Sequence, residues 1–142
     1  MKNVTTDLYP FQSHFLNLGE NNLHYLDEGK GDAILMVHGN PTWSFYYRNL
    51  VLAFRGHYRC VVPDHLGCGF SDKPQDYNYN LENHIQNLSK LVKFLDLKNI
   101  TLVVHDWGGA IGMGFATRHP ELIKRVVAVS YTHLTLPTKR IV

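Results

Sequence analysis

The sequence is poor in cysteine and has no long apolar run, and both shortages narrow the possible classes of protein. The 142 residues include two cysteines, Cys60 and Cys68, too few for a disulfide framework and not spaced as C-x-x-C. No stretch approaches the ~20 apolar residues of a membrane-spanning helix, and the first residues lack the apolar core of a signal peptide. The sequence therefore predicts a soluble, cytoplasmic protein with reduced thiols and no membrane span.

An excess of charge of one sign is also lacking. The 14 basic and 12 acidic residues give a formal net charge of +2 and are scattered along the chain. Without a basic run, the sequence predicts no nucleic-acid-binding face. Hydrophobic residues make up 44% of the chain, which is typical of a folded domain rather than of a disordered segment. The composition leaves the oligomeric state open.

The pattern of apolar residues predicts an α/β architecture. Residues 15–18 and 23–26 alternate at period two around a polar turn, which predicts an antiparallel hairpin. Continuous apolar runs, typical of strands buried on both faces of a parallel sheet, follow at 33–37, 60–62, 100–104 and 125–129. Helices are predicted between these runs, over 44–54, over 81–96 with Asn80 as N-cap, and from Gly108 to near His119. This alternation predicts a mostly parallel sheet covered by helices.

Polar residues and glycines follow three of the predicted strands. They occupy residues 38–41, 63–69 and 105–109. Ligands of open parallel sheets bind at the carboxyl ends of the strands. We therefore expect these three segments to converge on one functional site.

The segment 105–109, His-Asp-Trp-Gly-Gly, has the layout of a nucleophile elbow. A predicted strand runs into Asp106, and the small residues that follow let strand and helix pass closely. The N-terminus of the next helix favours negative charge, and a carboxylate can attack carbon and form an ester. We therefore predict that Asp106 is a catalytic nucleophile. The alternative is an aspartate that only caps the helix, and Val104 departs from the small residue usual at that position of an elbow.

Two neighbouring residues can stabilise an anion beside Asp106. Backbone N–H groups of residues 38–41 and of Trp107 would form an oxyanion hole. The side chains of Asn40 and Trp107 carry further N–H donors, so both residues are predicted to bind an oxyanion or a halide. The alternatives are a simple turn at Asn40 and a packed aromatic at Trp107, with its N–H on a backbone carbonyl.

Other polar residues of these segments are given structural roles. We expect Asp64, Ser71 and Asp72 to form hydrogen bonds that fix their loop, because glycines and a proline mark it as a tight turn. The histidines after the strands match no metal-ligand spacing, so we expect neither a metal nor a cofactor. These histidines are His38, His65 and His105.

Taken together, the segments 38–44, 63–74 and 103–109 resemble the haloalkane dehalogenase family of α/β-hydrolases, and the similarity extends over residues 12–129. Valine before the His-Asp is usual in that family. The resemblance implies an α/β-hydrolase fold in which Asp106 attacks a halogen-bearing carbon while the side chains of Asn40 and Trp107 bind the departing halide. It also implies that water, activated by a histidine and a second acid, hydrolyses the ester. The implied substrate is a small apolar molecule.

Other functions stay open beside the dehalogenase. The segment 63–74 is also similar to β-lactone decarboxylases of olefin biosynthesis, which share the Asp, Asn and Trp and would direct the carboxylate at a lactone ring. Epoxide hydrolases share His-Asp-Trp-Gly-Gly but typically carry Phe at the position of Asn40, so Asn40 favours a dehalogenase. A non-catalytic binding protein on the same fold is a further alternative, disfavoured by the intact Asp106, Asn40 and Trp107.

The resemblance also sets expectations for the end of the chain. The family continues after the fourth parallel strand with a helical cap and with strands that carry the acid and the histidine. We therefore expect residues 1–129 to be the N-terminal part of an α/β-hydrolase core domain, truncated before the cap and last strands and inactive as a fragment. Residues 130–142 resemble translated sequencing-adaptor read-through and are expected to be non-native, so His133 receives no catalytic role.

Overall fold

The computed structural model describes residues 5–129, so the expectation for residues 130–142 lies outside the described residues. Strands and helices alternate in the predicted order. In chain order they are β1 (His14–Asn17), β2 (Asn22–Glu28), β3 (Ala33–Val37), α1 (Arg48–Phe54), β4 (Arg59–Pro63), α2 (Leu81–Leu95), β5 (Ile100–His105), α3 (Trp107–Arg118) and β6 (Ile123–Val129). Within the described range, no helix is both long and apolar enough to cross a bilayer.

The strands form one six-stranded sheet in the order β1-β2-β4-β3-β5-β6. The strands β4, β3, β5 and β6 are parallel, as the continuous apolar runs predicted. The predicted hairpin is confirmed, with His14 of β1 opposite Tyr25 of β2. Tyr25 also lies opposite Pro63, because β2 joins the parallel part through antiparallel pairing with β4. The hairpin therefore extends the sheet sideways from β4, with Tyr25 level with the carboxyl end of that strand.

The core lies on both faces of the sheet, because successive side chains of a strand point to opposite faces. Leu35 and Val37 of β3 belong to a cluster with α2 and α3. Ile34 and Met36 belong to a second cluster that includes Val51 of α1. Helices therefore cover both faces, and this double burial explains why these strands are continuously apolar.

The helix boundaries agree with the sequence except in the segment 44–54. That segment begins as a 3₁₀ turn, Ser44–Tyr47, and becomes α-helical only at Arg48. The backbone N–H of Ser44 donates to Oδ1 of Asp64 at 2.6 Å, which fixes the start of this turn from outside the segment. At α2 the predicted N-cap is confirmed, since the Asn80 side chain accepts from the backbone N–H of Asn83 at 2.8 Å.

Helix α2 offers a matched test of this packing. Leu91 is fully buried in the core, whereas Phe94 on the same helix is 62% exposed. We expect Leu91→Ala to lower the free energy of unfolding by about 2–5 kcal/mol, because it leaves a cavity. Phe94→Ala should change it by about 0.5 kcal/mol or less. Urea titrations of both variants measure the difference, and equal effects would contradict the described orientation of α2.

Candidate active site

The candidate site is centred on the sharp turn between β5 and α3. Asp106 at this turn has φ 55° and ψ −127°, a backbone conformation that side-chain-bearing residues rarely adopt. The N–H of Gly109 donates to the carbonyl oxygen of Asp106 at 2.8 Å and closes the turn. Such a conformation costs on the order of 1–3 kcal/mol and persists only where the surrounding structure enforces it. Asp106 therefore stands at the tip of an elbow, as the sequence predicted.

Two glycines allow the elbow to lie against the end of β3. A side chain at Gly108 would collide with the carbonyl oxygen of Val37, which belongs to the backbone and cannot move aside. A Cβ at Gly39 would lie 2.5 Å from Cβ of Asp106, closer than real contacts allow. Both positions therefore require glycine, and the close approach brings Asp106 against the 38–41 loop.

The carboxylate of Asp106 faces that loop. The backbone N–H of Asn40 donates to Oδ2 of Asp106 at 3.2 Å. Asp106 is half-buried rather than fully buried. The structure therefore brings Asp106 and Asn40 together.

A cavity of about 690 Å³ opens beside the elbow, and Asn40 and Trp107 both line it. The Trp107 side chain is 54% exposed, so it is not the packed core aromatic of the alternative interpretation. The volume lies within the range of small-molecule sites. The other lining residues are apolar or polar side chains of the 65–84 segment and α3: His65, Leu66, Gly67, Cys68, Lys73, Tyr79, Asn80, Leu81, His84 and Ile111.

Asp64 fixes the loop that forms one side of this cavity. Its Oδ1 accepts from the N–H of Ser44 at 2.6 Å, and its Oδ2 accepts from the N–H of Phe70 at 3.0 Å and from His24 Nδ1 at 2.8 Å. Burial alone would raise the pKa of Asp64, but these hydrogen bonds outweigh it and lower the pKa. Two features favour glycine at position 69. A side chain there would collide with the carboxylate of Asp64, and the backbone has φ 55°.

The structural roles predicted for the other loop residues are confirmed. The hydroxyl of Ser71 donates to the carbonyl oxygen of Asp64 at 2.6 Å and accepts from the N–H of His24 at 2.7 Å. Oδ2 of Asp72 accepts from the N–H of Asn22 at 2.7 Å. Sequence reasoning did not identify His24 as a partner, because 40 residues separate it from Asp64.

Two histidines in contact, with ring centroids 4.1 Å apart and planes tilted by 43°, support the 38–41 loop from inside. Nδ1–H of His38 donates to the carbonyl oxygen of Gly39 at 2.7 Å, and its Nε2 accepts from the N–H of His65 at 3.1 Å. Nε2–H of His65 donates to the carbonyl oxygen of His38 at 2.9 Å. Burial lowers the pKa of His38 and holds the pKa of His65 well below its usual value. Among residues 5–129, no group of three or more His, Cys, Asp and Glu side chains is arranged to hold a metal ion.

The fold agrees with comparisons to known proteins. A protein-family model described as alpha/beta hydrolase fold matches residues 32–140. The chain belongs to the α/β-hydrolase fold family. Its sheet, antiparallel at the N-terminal edge and parallel elsewhere, is the N-terminal part of that fold.

Three similar proteins combine high coverage of this chain with partial coverage of their own length. A cis-3-alkyl-4-alkyloxetan-2-one decarboxylase of Shewanella oneidensis is 57% identical over 92% of this chain and 42% of its own. Haloalkane dehalogenase 2 of Mycobacterium tuberculosis is 41% identical over 84% of this chain and 42% of its own length. The crystal structure of the haloalkane dehalogenase DatA from Agrobacterium tumefaciens superposes with a TM-score of 0.77 at 34% identity. The superposition covers 82% of this chain and 40% of the DatA chain. The chain thus spans less than half the length of these relatives.

The close approach at Gly108 can be tested by adding one methyl group. We expect Gly108→Ala to lower the free energy of unfolding by about 1–3 kcal/mol, because the new Cβ would overlap the carbonyl oxygen of Val37. Gly56→Ala is the matched control, since a Cβ there meets nothing within 4 Å. The control should leave stability unchanged or raise it by up to about 1 kcal/mol. Denaturant unfolding compares them, and a harmless Gly108→Ala would contradict the described contact.

The buried histidines predict a loss of stability in mild acid. Burial lowers the pKa values of His38 and His65 in the fold, whereas histidines of the unfolded chain titrate near their ordinary pKa of about 6.5. Below that pH the unfolded state binds protons that the native state does not, so stability falls as pH falls. Each histidine should contribute a slope of up to about 1.4 kcal/mol per pH unit. Urea unfolding between pH 7.5 and 5 measures the slope, and a flat profile would refute the neutral, buried pair.

Proposed function

We propose that Asp106 is the carboxylate nucleophile of an enzyme that forms a covalent ester with its substrate. The observation that carries the proposal is the position of Asp106, on a strained elbow beside a cavity, with its carboxylate turned to the 38–41 loop. An oxygen of this carboxylate would attack an electrophilic carbon of a bound molecule. On this proposal, residues 1–129 are the N-terminal part of the catalytic domain.

The leaving anion would be held by N–H donors next to the nucleophile. Asn40 and Trp107 line the cavity and carry side-chain N–H groups. Donors that are fixed before the reaction stabilise developing negative charge without reorganisation. We therefore assign Asn40 and Trp107 to binding of the leaving anion, whether it is a halide or a carboxylate.

We propose a β-lactone as the first candidate substrate, because the relative at 57% identity is named for the decarboxylation of an alkyl-substituted oxetan-2-one. Attack of Asp106 on ring carbon C4 would break the bond from C4 to the ring oxygen and release a carboxylate. Loss of CO₂ from C3 would then form the C3=C4 double bond and expel Asp106 from C4. This sequence regenerates the Asp106 carboxylate and consumes no water.

A haloalkane is the second candidate, supported by the dehalogenase relatives at 41% and 34% identity. Here Asp106 would displace halide from carbon, and water would have to cleave the resulting ester. The two reactions therefore differ in whether an oxygen atom of water enters the carboxylate of Asp106. Turnover of a haloalkane in H₂¹⁸O would place ¹⁸O in the carboxylate of Asp106 and then in the product, whereas lactone decarboxylation would place none in Asp106.

The nucleophile can be tested in a chimera that carries residues 12–129 of this chain in place of the matching segment of the Shewanella oneidensis relative. We expect Asp106→Asn to lower the rate of CO₂ release from a cis-dialkyl β-lactone, or of halide release from a haloalkane, by about 10³-fold or more. The reason is that the amide cannot supply the attacking carboxylate. Both products are measured on the same preparations.

Asp32→Asn is the matched control, because the Asp32 side chain is 62% exposed and forms only a long ion pair, at 3.8 Å, with Lys124. It should retain the activity of the unaltered chimera. Far-ultraviolet circular dichroism checks that both variants fold. A folded Asp106→Asn chimera with full activity would remove Asp106 from the mechanism.

A further inference from the structure

A second chain of hydrogen bonds joins a serine, a histidine and an aspartate outside the candidate active site. Nε2 of His24 lies 2.9 Å from Oγ of Ser13. Nδ1 of the same ring lies 2.8 Å from Oδ2 of Asp64. The three groups thus have the order and the spacing of a nucleophile, a base and an orienting acid.

The surrounding hydrogen bonds set where the protons lie. Two backbone N–H groups, of Ser44 and Phe70, donate to the Asp64 carboxylate and favour its ionised form. An ionised carboxylate can only accept, so Nδ1 of His24 carries the proton of their shared hydrogen bond. In the neutral ring Nε2 is then an acceptor, to which the hydroxyl of Ser13 can donate. This tautomer is the one that a general base requires.

Packing holds the imidazole of His24 in this orientation. The ring is completely buried. Its faces and edges contact two aromatic rings, Phe15 at 5.2 Å and Phe70 at 5.1 Å between centroids, both at 62°. The backbone of His24 is fixed as well, because its N–H donates to Ser71 and its carbonyl oxygen accepts from the N–H of Asp64. The imidazole of His24 is therefore already held in the orientation that a general base needs.

Ser13 itself is exposed, unlike its two partners. It directly precedes β1, one of the two edge strands of the described sheet. Because His14 lies opposite Tyr25, and Tyr25 lies opposite Pro63, Ser13 is at the rim where the parallel strands end. An external reagent can thus reach the hydroxyl while the base behind it stays dry.

We propose that Ser13 is an activated serine that accepts acyl or phosphonyl groups from compounds with a good leaving group, with His24 as general base and Asp64 as positioning residue. Oγ of Ser13 attacks the carbonyl carbon or the phosphorus, and its proton passes to Nε2 of His24. The bond to the leaving group, such as fluoride or a phenolate, breaks with its electron pair. The product is an ester on Ser13, and Nε2 of His24 passes its proton to the departing fluoride or phenolate, which leaves as hydrogen fluoride or a phenol.

The test is labelling of the purified protein with a fluorophosphonate and location of the adduct by mass spectrometry. Ser13 is the only serine of the tryptic peptide 3–30, so its modification is read without ambiguity. Ser89 is the internal reference, because its hydroxyl is bonded only to a backbone carbonyl, that of Ile85 at 3.0 Å. We expect Ser13 to react at least about 100-fold faster than Ser89, the contribution of a general base.

Variants separate activation from exposure. Ser13→Ala should abolish the adduct on peptide 3–30, and His24→Gln should slow its formation by about 100-fold or more. Asp106→Asn should leave labelling unchanged, which distinguishes this site from the proposed nucleophile. Equal rates for wild type and folded His24→Gln would overturn the proposal. Where His24→Gln loses its helical dichroism, the ratio of the labelling rates of Ser13 and Ser89 in the wild type is the remaining test. A ratio near one refutes activation, because Ser13 is also the more exposed of the two serines.

Discussion

The close contact between the β5–α3 turn and the end of β3 is the constraint on which the site depends. Without side chains, Gly39 and Gly108 let two backbones approach, and this approach stabilises the rare conformation of Asp106. The same contact turns the carboxylate toward the N–H of Asn40. The strained backbone of Asp106 and the glycines that surround it therefore depend on each other. The strain lowers the local stability of the fold, and it places a carboxylate beside a cavity.

The antiparallel strands contribute to the site although none of their residues lines the cavity. His24 of β2 binds the carboxylate of Asp64, which in turn holds the N–H groups of Ser44 and Phe70. One buried anion thus connects the hairpin, the 3₁₀ turn after the 38–41 loop and the loop after β4. Because all three segments bind the Asp64 carboxylate, this side chain fixes their positions relative to one another.

Local sequence patterns predicted the strands and helices, but they did not predict contacts between residues that are far apart in the chain. The runs 33–37 and 100–104 predicted buried parallel strands because continuous apolarity reflects burial on both faces. The 105–109 segment predicted the elbow because its constraint is local. The pairing of β2 with β4 and the bond from His24 to Asp64 join residues far apart, and no short pattern encodes them. The 3₁₀ start of the 44–54 segment likewise depends on a contact with Asp64, which periodicity does not detect.

Asp64 and Asp106 show why environment rather than residue type assigns a role to a carboxylate. Both follow a parallel strand at the same edge of the sheet. Asp64 is fully buried, and donors occupy both of its oxygens, so no external carbon can approach it. Its negative charge serves to hold loops and to orient His24. Asp106 is only half-buried, and its neighbours Asn40 and Trp107 line the cavity. Accessibility therefore favours Asp106 over Asp64 as the proposed nucleophile.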